Sequence, residues 1–374
     1  MKKRVAVNML WSVPGVGGSE EYLARQLIGL AEIGADLDVH VFAPRGFAAR
    51  RTDVSMLWPV HEAPSDATRR AARIGLEHTW LAAQTRAFDV VHHGGGTVPR
   101  VGNRSTLLTV HDVQWTEFPD YVSGVKLRYL RKMVPSSLAR ASHIAVPSNF
   151  VASTLVREFG TDRTRIGVVR HGLESTMEHF LTPTAELRAK FALGDGPIVV
   201  YPAVTHPHKN HRFLLELMAH GGGSWADPTL RLVFAGSAGR ADTEVRQMVR
   251  DLRLDDRVVM CGHVDAFDRN GLLLAADAMV FPSEYEGFGA PVIEAMQFSA
   301  PVICSDRGSL PEVVGDAALV LPLTLDAWRG ALDVVRTERA RLTSAGHRRT
   351  REFTAAKSAE DLVEQYETVM RGAR

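Results

Sequence analysis

The amino-acid sequence predicts an α/β protein made of two doubly wound, Rossmann-like domains that face each other across a cleft. Short apolar runs rich in valine and isoleucine alternate with amphipathic helical segments, which indicates parallel sheets covered by helices on both faces. The alternation restarts after about residue 195. A chain of 374 residues also suits two domains of ordinary size better than one.

The first domain is predicted over residues 1–178. Its opening run RVAVN is a short β-forming segment, followed by a glycine-rich loop and a helix from Ser19 to about Gly34. Ser148 precedes an apolar-periodic run and is a predicted helix N-cap. Further strands are predicted at residues 38–43, 89–93, 106–110, 143–146 and 166–169, and helices at 66–87, 124–140 and 148–159.

The second domain is predicted over residues 190–356, after a linker that begins at Glu174 and contains a short helical pattern. The segment Ser358–Met370 has apolar residues at helical spacing. We therefore expect residues 357–374 to pack back on the first domain. Strands of the second domain are predicted at residues 197–201, 230–235, 257–260, 278–281, 301–304 and 318–321.

Composition narrows the class of protein. The formal net charge of +1 gives no global reason to expect nucleic acid as a partner. Two distant cysteines and no apolar stretch of membrane-spanning length predict a cytoplasmic protein. Basic clusters at residues 69–73 and 126–132 are either solvated helix faces or a surface for an anionic acceptor or lipid. Peripheral contact with the inner face of the membrane is therefore one expectation.

The densest chemical signal is the run EYEGFGAPVIE, which follows the strand AMVF. A glycine loop that leads into a helix exposes backbone N–H groups and is a ready anion site. Pro291 suits the first helical position. Glu286 and Glu294 bracket the loop, and helical rise would place them about 12 Å apart. That spacing suits a diphosphate with a sugar on one side and a ribose on the other.

Other loops carry weaker signals. The loop from Gly15 to Gly18 has Glu20 where the dinucleotide fingerprint needs its third glycine, so that fingerprint fails. Such a loop either turns the chain or packs against a donor diphosphate. His111 follows the strand TLLTV, and Lys209 lies between a buried strand and a helix. Polar residues at these positions suit ligand binding, and a lysine there can neutralise a phosphate.

No metal site and no cofactor are expected. Asp36 and Asp38 have the spacing of a metal-binding pair, but they lie at a loop edge where solvation is the simpler explanation. The sequence has no zinc-type spacing of cysteine and histidine, no phosphate-binding P-loop motif and no nucleophile elbow.

Residues 282–322 resemble the donor-binding core of the family 4 retaining glycosyltransferases, which have the GT-B fold. The resemblance extends over most of the chain, since other landmarks of the family follow in the same order. The most similar members transfer mannosyl and rhamnosyl groups. The segments that carry the resemblance are PSEYEGFGAPVIEAMQFSAPVICSDRGSLPEVVGDAALVLP, VGGSEEYLARQL, HDV, PSNFVASTLV, RHGLE and HKNH.

The resemblance implies a role for each candidate site residue. Glu286 would contact the transferred sugar, Glu294 would bind the ribose hydroxyls, and His111 would face the reacting sugar. Lys209 would pair with the diphosphate. The remaining donor contacts would come from Gly17 and Gly18, from the loop residues Gly287, Phe288 and Gly289, and from His263 and Val264 near the base. Many members carry an arginine six positions before the lysine, where this chain has Ala203. The diphosphate would then depend on Lys209 alone, or on His206 or His208.

The implied activity is transfer of a hexosyl group from a nucleotide-diphosphate sugar to an acceptor hydroxyl, with retention of configuration. GDP-mannose is the first candidate donor, and the acceptor is a carbohydrate, a lipid-linked or a small-molecule substrate. Two alternatives are a nucleotide-sugar epimerase of similar fold and a non-catalytic, two-lobed sugar-binding protein. A third is a metal-dependent, single-domain glycosyltransferase that would use Asp36 and Asp38 as ligands.

Overall fold

A computed structural model describes residues 2–14, 17–174 and 181–372. The chain divides into two compact units. Unit 1 is Met1–Glu174 together with Phe353–Arg374, and unit 2 is Ser175–Glu352. Each unit holds one wholly parallel sheet with helices between its strands. The prediction of two Rossmann-like α/β domains is therefore confirmed.

The sheet of unit 1 has the order β3-β2-β1-β4-β5-β6-β7. Its edge strand Val60–Glu62 was not predicted, because only three half-buried or exposed residues pair there and show no apolar alternation. The predicted strands are all present. With the unpredicted β3 included, the strands of unit 1 are β1 (Lys3–Asn8), β2 (Leu37–Ala43), β3 (Val60–Glu62), β4 (Val90–His93), β5 (Thr106–Thr109), β6 (His143–Val146) and β7 (Ile166–Val168).

Two helices of unit 1 show how local sequence sets their ends. One begins after Ser148, whose hydroxyl accepts a hydrogen bond from the backbone N–H of Val151 at 3.2 Å, so this predicted N-cap is confirmed. The helix predicted over 66–87 starts later and includes a π-helical stretch, Glu77–Leu81. The helices are α1 (Gly18–Glu32), α2 (Phe47–Arg50), α3 (Thr52–Ser55), α4 (Arg70–Leu76), α5 (Ala82–Gln84), α6 (Gly124–Arg140) and α7 (Asn149–Phe159).

The C-terminal helix α17 (Ala355–Gly372) packs on α1 and on the sheet of unit 1. Gly29 of α1 allows the close approach, since a Cβ there would lie 2.2 Å from the carbonyl oxygen of Ala355. Leu362 and Tyr366 are fully buried in this interface. Burial of such a side chain contributes about 1.5–3 kcal/mol, so α17 is an integral part of unit 1.

The sheet of unit 2 has the order β10-β9-β8-β11-β12-β13. In a sheet of this order, the direction of strand addition reverses between β8 and β11. Ligands of doubly wound sheets bind outside the carboxyl ends of the strands at such a switch point. The strands are β8 (Ile198–Tyr201), β9 (Arg231–Phe234), β10 (Val258–Met260), β11 (Ala278–Phe281), β12 (Val302–Ser305) and β13 (Ala318–Leu321).

The helices of unit 2 cover this sheet. None of the helices within the described ranges is both long and apolar enough to cross a bilayer. They are α8 (Thr184–Lys190), α9 (His211–His220), α10 (Asp242–Asp251), α11 (Ala266–Ala275), α12 (Ala290–Gln297), α13 (Leu310–Val314), α14 (Leu325–Arg329), α15 (Ala331–Thr337) and α16 (Arg339–Thr350).

Candidate active site

The loops that follow β8 and β11 lie side by side at the switch point of unit 2. The backbone N–H of Glu284 donates a hydrogen bond to the carbonyl oxygen of His208 at 2.8 Å. The buried hydroxyl of Tyr201, at the end of β8, donates to the carbonyl oxygen of Lys209 at 2.5 Å and lies 3.3 Å from the Ser283 hydroxyl. These bonds hold Lys209 next to the glycine loop after β11.

Lys209 and Glu286 form an ion pair at the centre of this edge. The Lys209 Nζ lies 2.5 Å from the Glu286 Oε1, and the two side chains are 18% and 10% exposed. The ammonium group also lies 5.2 Å above the ring centre of Phe281. The structure thus brings together two residues that the sequence suggested separately, and it gives each a partner of opposite charge.

Glycines fix the backbone around Glu286. A Cβ at Gly308 would lie 2.6 Å from the Glu286 carbonyl oxygen, and the same oxygen accepts bonds from the Ser309 N–H and hydroxyl, each at 3.1 Å. Gly289 has φ +89°, and a Cβ there would lie 2.7 Å from a methyl group of Leu310. The loop after β12 therefore clamps the loop after β11 in one conformation.

Helix α12 begins at Ala290, with Gly289 as its N-cap and Pro291 as its second residue. Residues 286–289 lie in the preceding loop, so the estimate of about 12 Å from helical rise does not apply, and the expected first position for Pro291 was wrong. Glu294 is buried on α12, and its Oε2 lies 4.0 Å from the Arg269 Nε. Gly287 and Phe288 are buried in the same loop.

The loops after β9 and β10 complete the carboxyl edge on the other side of β8. His263 is exposed, and its Nδ1 lies 3.4 Å from the Ser237 hydroxyl. Gly262 has φ +69°, which turns the chain after β10. Val264 follows and is half-buried. Sequence reasoning found this segment but missed Ser237 and Arg269, which are not part of any motif.

A cluster of histidines follows β8. Burial lowers the pKa of His208 to about 2, with the positive charge of Lys209 as a second cause. Burial also lowers the pKa of His211, which packs on Tyr201, to about 4. Ala203 is buried near them. These imidazoles are therefore neutral at pH 7.

In unit 1, His111 lies at the carboxyl end of β5. Its Nε2 lies 2.9 Å from the Gly94 carbonyl oxygen, which can only accept, so Nε2 carries the proton and Nδ1 is left as an acceptor in the neutral ring. The ring packs against Trp11 and Tyr22, and this burial lowers the pKa of His111. His171, which sequence reasoning did not single out, also packs on Tyr22, with the ring centres 4.4 Å apart. Its position just after β7 was the available signal.

The glycine loop before α1 is only partly described, and Gly15 and Val16 lie outside the described residues. Gly17 has φ +77° and is the N-cap of α1, with Gly18 as its first residue. Both are exposed, and a Cβ on either would meet no atom within 4 Å. Glu20, where the fingerprint fails, is buried and pairs with Arg50 at 2.5 Å.

Asp36 and Asp38 each face basic groups. Asp36 lies 3.5 Å from the ammonium of Lys2, and Asp38 lies 3.5 Å from the Arg4 guanidinium and 3.2 Å from His40. Within the parts of the chain that the structure describes, no group of three or more metal-ligating side chains is arranged around an ion position.

Two parallel α/β units with this strand order are the architecture of the GT-B fold. The family model "Glycosyltransferase Family 4" matches residues 16–176, and the model "Glycosyl transferases group 1" matches residues 183–328. The chain belongs to glycosyltransferase family 4.

Relatives support this assignment. O-antigen chain mannosyltransferase B of Escherichia coli is 31% identical over 245 residues, which are 64% of this chain. O-antigen chain mannosyltransferase RfbU of Salmonella typhimurium is 30% identical over 244 residues, again 64% of this chain. The chain spans less than two thirds of the length of each, 63% and 62%.

The fold is also that of a solved structure. Anabaena Alr3699/HepE in complex with UDP and glucose superposes with a TM-score of 0.76. The match covers 97% of this chain and 99% of that protein, at 17% sequence identity.

Proposed function

We propose that this chain transfers a hexosyl group from a nucleotide-diphosphate sugar to an acceptor hydroxyl, with retention of configuration. The carrying observation is the Lys209–Glu286 pair at the switch point of unit 2, beside a glycine loop that opens a helix. A cation and an anion side by side match a donor that presents a diphosphate next to sugar hydroxyls. Lys209 would bind the diphosphate, and Glu286 would accept hydrogen bonds from the sugar.

Catalysis in this proposal is electrostatic. As the bond between the sugar and the diphosphate lengthens, negative charge grows on the leaving group. Backbone N–H groups of Phe288 and Gly289, the start of α12 and the Lys209 ammonium would stabilise that charge where it develops. Glu294 would bind the ribose hydroxyls, and the segment Gly262–Val264 would lie near the base.

Further contacts are proposed from unit 1. The exposed Gly17 and Gly18 would allow the backbone to approach the diphosphate closely. The unprotonated Nδ1 of His111 would accept a hydrogen bond from a hydroxyl of the reacting sugar. No metal ion and no organic cofactor are part of the proposal.

GDP-mannose is the proposed donor. Two relatives at about the same identity are named mannosyltransferases, and this is the support for mannose. The structural neighbour in complex with UDP and glucose makes UDP-glucose the second donor to test. The acceptor is proposed to be a carbohydrate, lipid-linked or small-molecule hydroxyl.

A donor screen tests the proposal. The melting temperature of the full chain is measured with GDP-mannose, UDP-glucose and their free nucleotides, because a ligand that binds only the native state raises it. We expect GDP-mannose to give the largest shift. Incubation with the stabilising donor and candidate acceptors should then yield a glycoside of unchanged anomeric configuration by NMR. An isomerised donor without transfer would instead identify an epimerase, and sugar binding without turnover would identify a binding protein.

We also propose that a basic surface on unit 1 contacts anionic lipid. The surface is formed by α4 and α6, which meet where the Arg70 guanidinium lies 5.4 Å from the ring centre of Tyr129. Neither helix contains an acidic residue, and Val125 at the start of α6 is 72% exposed. Its exposed cations are Arg69, Arg70, Lys126, Arg128, Arg131 and Lys132.

Vesicle sedimentation tests this surface. The chain should bind vesicles of phosphatidylglycerol and phosphatidylcholine more strongly than pure phosphatidylcholine vesicles, with about 1 kcal/mol from each basic residue near the surface. The triple variant Arg128→Gln/Arg131→Gln/Lys132→Gln should lose most of that difference. Equal binding of the variant and the wild-type chain would contradict the proposal.

A further inference from the structure

The donor diphosphate requires more positive charge than Lys209 supplies. Each of its phosphate groups carries negative charge, whereas the Lys209 ammonium is already neutralised by Glu286 at 2.5 Å. Ala203, where many family members carry arginine, is buried against the loop after β9. A Cβ at Gly236 would lie 1.9 Å from the Ala203 carbonyl oxygen. A second cation elsewhere along the edge would offset the charge that Lys209 and the start of α12 leave uncompensated.

The neighbouring histidines do not provide it. His208 is neutral at pH 7, because burial lowers its pKa to about 2. The Nδ1 of His206 lies 3.4 Å from the backbone N–H of Arg240. An N–H group can only donate, so this nitrogen accepts and is unprotonated. Both rings can orient a ligand, but neither carries a charge in this arrangement.

The loop after β9 places Arg240 next to the loop after β8, which carries Lys209. Hydrogen bonds to the backbone and the hydroxyl of Thr205 hold the loop after β9 in position. The Thr205 N–H donates to the Ser237 carbonyl at 3.2 Å, the Ala241 N–H donates to the Thr205 carbonyl at 2.9 Å, and the Gly239 N–H donates to the Thr205 hydroxyl at 2.7 Å. Arg240 therefore lies beside His206 and close to Thr205.

Arg240 is exposed, and its guanidinium forms no ion pair within the described residues. Two arginines on the helices α9 and α10 differ in this respect. Arg212 pairs with Glu244 at 2.7 Å, and Arg246 pairs with Asp242 at 2.8 Å. The positive charge of Arg240 is also one of the charges that lower the pKa of His208, after burial and the charge of Lys209.

We propose that Arg240 is the second diphosphate-binding cation, supplied by the loop after β9 in place of the arginine absent at position 203. Its planar guanidinium can bind two phosphate oxygens at once. This inference rests on the proposed function, because it assigns a residue to the donor of that reaction. In this assignment Lys209 interacts with both Glu286 and the donor, whereas Arg240 interacts with the donor alone.

Calorimetric titration of the full chain with GDP and GMP, and with UDP and UMP, tests the proposal. Arg240→Gln should weaken binding of the preferred diphosphate about ten- to a hundredfold, as expected for losing hydrogen bonds to a charged group. Binding of the corresponding monophosphate should change less than about threefold, which a general loss of structure would not spare. The control Arg246→Gln removes an exposed arginine of the adjoining helix and should leave both affinities unchanged.

The outcomes separate this inference from the function on which it rests. If the wild-type chain binds neither diphosphate, the proposed function fails. If it binds one of them and Arg240→Gln binds it equally well, Arg240 is not a diphosphate ligand and only this inference is overturned. Equal weakening by Arg240→Gln and Arg246→Gln would also overturn it, because the effect would then reflect overall surface charge.

Discussion

The strands of the unit 2 sheet follow the same order as the first six strands of the unit 1 sheet, but the two sheets differ in the chemistry of their carboxyl edges. In unit 2 the edge carries full charges, namely the ion-paired Lys209 and Glu286 and the exposed Arg240. In unit 1 the edge carries neutral imidazoles held by neutral partners. His111 bonds to the Gly94 carbonyl oxygen, and His92 lies between the hydroxyls of Tyr366 and Thr109 at 2.9 and 2.7 Å.

This difference shows that sheet topology determines where a site can form, whereas the side chains at that position determine which ligand it binds. A parallel sheet of this order gathers loops at its switch point in either unit. Unit 2 combines cations, a glycine loop and the start of a helix there, which together suit a diphosphate. The edge of unit 1 is suited to uncharged hydroxyl groups, which neutral histidines bind without a large desolvation cost.

The largest effect that would test this contrast is expected from Lys209→Met. If Lys209 stabilises the leaving group as proposed, removal of its charge should lower turnover by about 10²- to 10³-fold, as for other groups that stabilise developing charge. Single-turnover kinetics with the preferred donor measure this loss. A variant with normal turnover would show that the charged edge of unit 2 is not the reaction site.

Lys190→Met is the matched control for this experiment. Lys190, on α8, also forms an ion pair in unit 2, with Asp268 at 2.5 Å. The control breaks an ion pair of the same length away from the switch point. It should leave turnover close to the wild-type value, so a loss confined to Lys209→Met is specific to the edge.

A smaller effect should distinguish the roles of Glu286 and Glu294. If Glu294 binds the ribose, Glu294→Ala weakens the binding of the nucleotide diphosphate and of the intact donor to the same extent. If Glu286 touches the sugar, Glu286→Ala leaves the nucleotide diphosphate bound and lowers turnover. Each lost hydrogen bond to a charged group is worth roughly 1.5–3 kcal/mol, or about ten- to a hundredfold.

Calorimetry and single-turnover kinetics separate these roles, provided that the ligand-free melting temperatures are compared first. Glu286 and Glu294 are both largely buried. The role of either residue could therefore be only to stabilise the fold. A variant that melts early and binds normally would indicate a structural role. If both variants fold, bind and transfer normally, the assignment of the glycine loop as the donor site is wrong.

Much of the fold could be predicted from the sequence, because its strands are short apolar runs bounded by turns. The alternation of strand and helix gave both units, and Ser148 gave a helix start. The strand Val60–Glu62 could not be predicted, since its three residues pair at a sheet edge without an apolar pattern. The π-helical stretch Glu77–Leu81 was also missed, because the same residues read equally well as α-helix.

The candidate site was only partly predictable. Its residues followed strands and could be found one by one, but the Lys209–Glu286 contact joins residues 77 positions apart. That contact depends on β8 lying next to β11, and alternation alone does not give strand order. For the same reason Arg240 was missed, since its position beside His206 depends on the loop after β9 folding over Thr205.

The clamp on the glycine loop can be tested with Gly308→Ala. This residue has φ +62°, and a Cβ would lie 2.6 Å from the Glu286 carbonyl oxygen. A residue forced into such a conformation costs of order 1–3 kcal/mol, and the clash should also displace Glu286 and weaken donor binding. Gly222→Ala is the control, with φ +67° and no atom within 4 Å of its Cβ. Equal donor affinity in both variants would show that the loop is not held by this contact.

The smallest effect concerns the neutral edge of unit 1 and its dependence on pH. Burial lowers the pKa of His92 and of His93 from 6.5 to about 3. Above pH 6.5 both rings are neutral in the folded and unfolded chain and make no pH-dependent contribution. Below it the unfolded chain binds protons that the folded chain excludes. The free energy of unfolding therefore falls by about 1.4 kcal/mol per pH unit for each ring, until the pH reaches about 3.

Between pH 6.5 and 5.0 each ring should thus remove about 2 kcal/mol of stability. Urea denaturation of the wild-type chain and of His92→Gln at several pH values measures how much of the pH dependence of the free energy of unfolding comes from His92. Glutamine keeps a donor and an acceptor for the hydroxyls of Thr109 and Tyr366 but cannot bind the proton, so the variant should lose stability less steeply by about one proton. Identical slopes would mean that His92 is charged in the folded chain, and the contrast between a neutral edge in unit 1 and a charged edge in unit 2 would not hold.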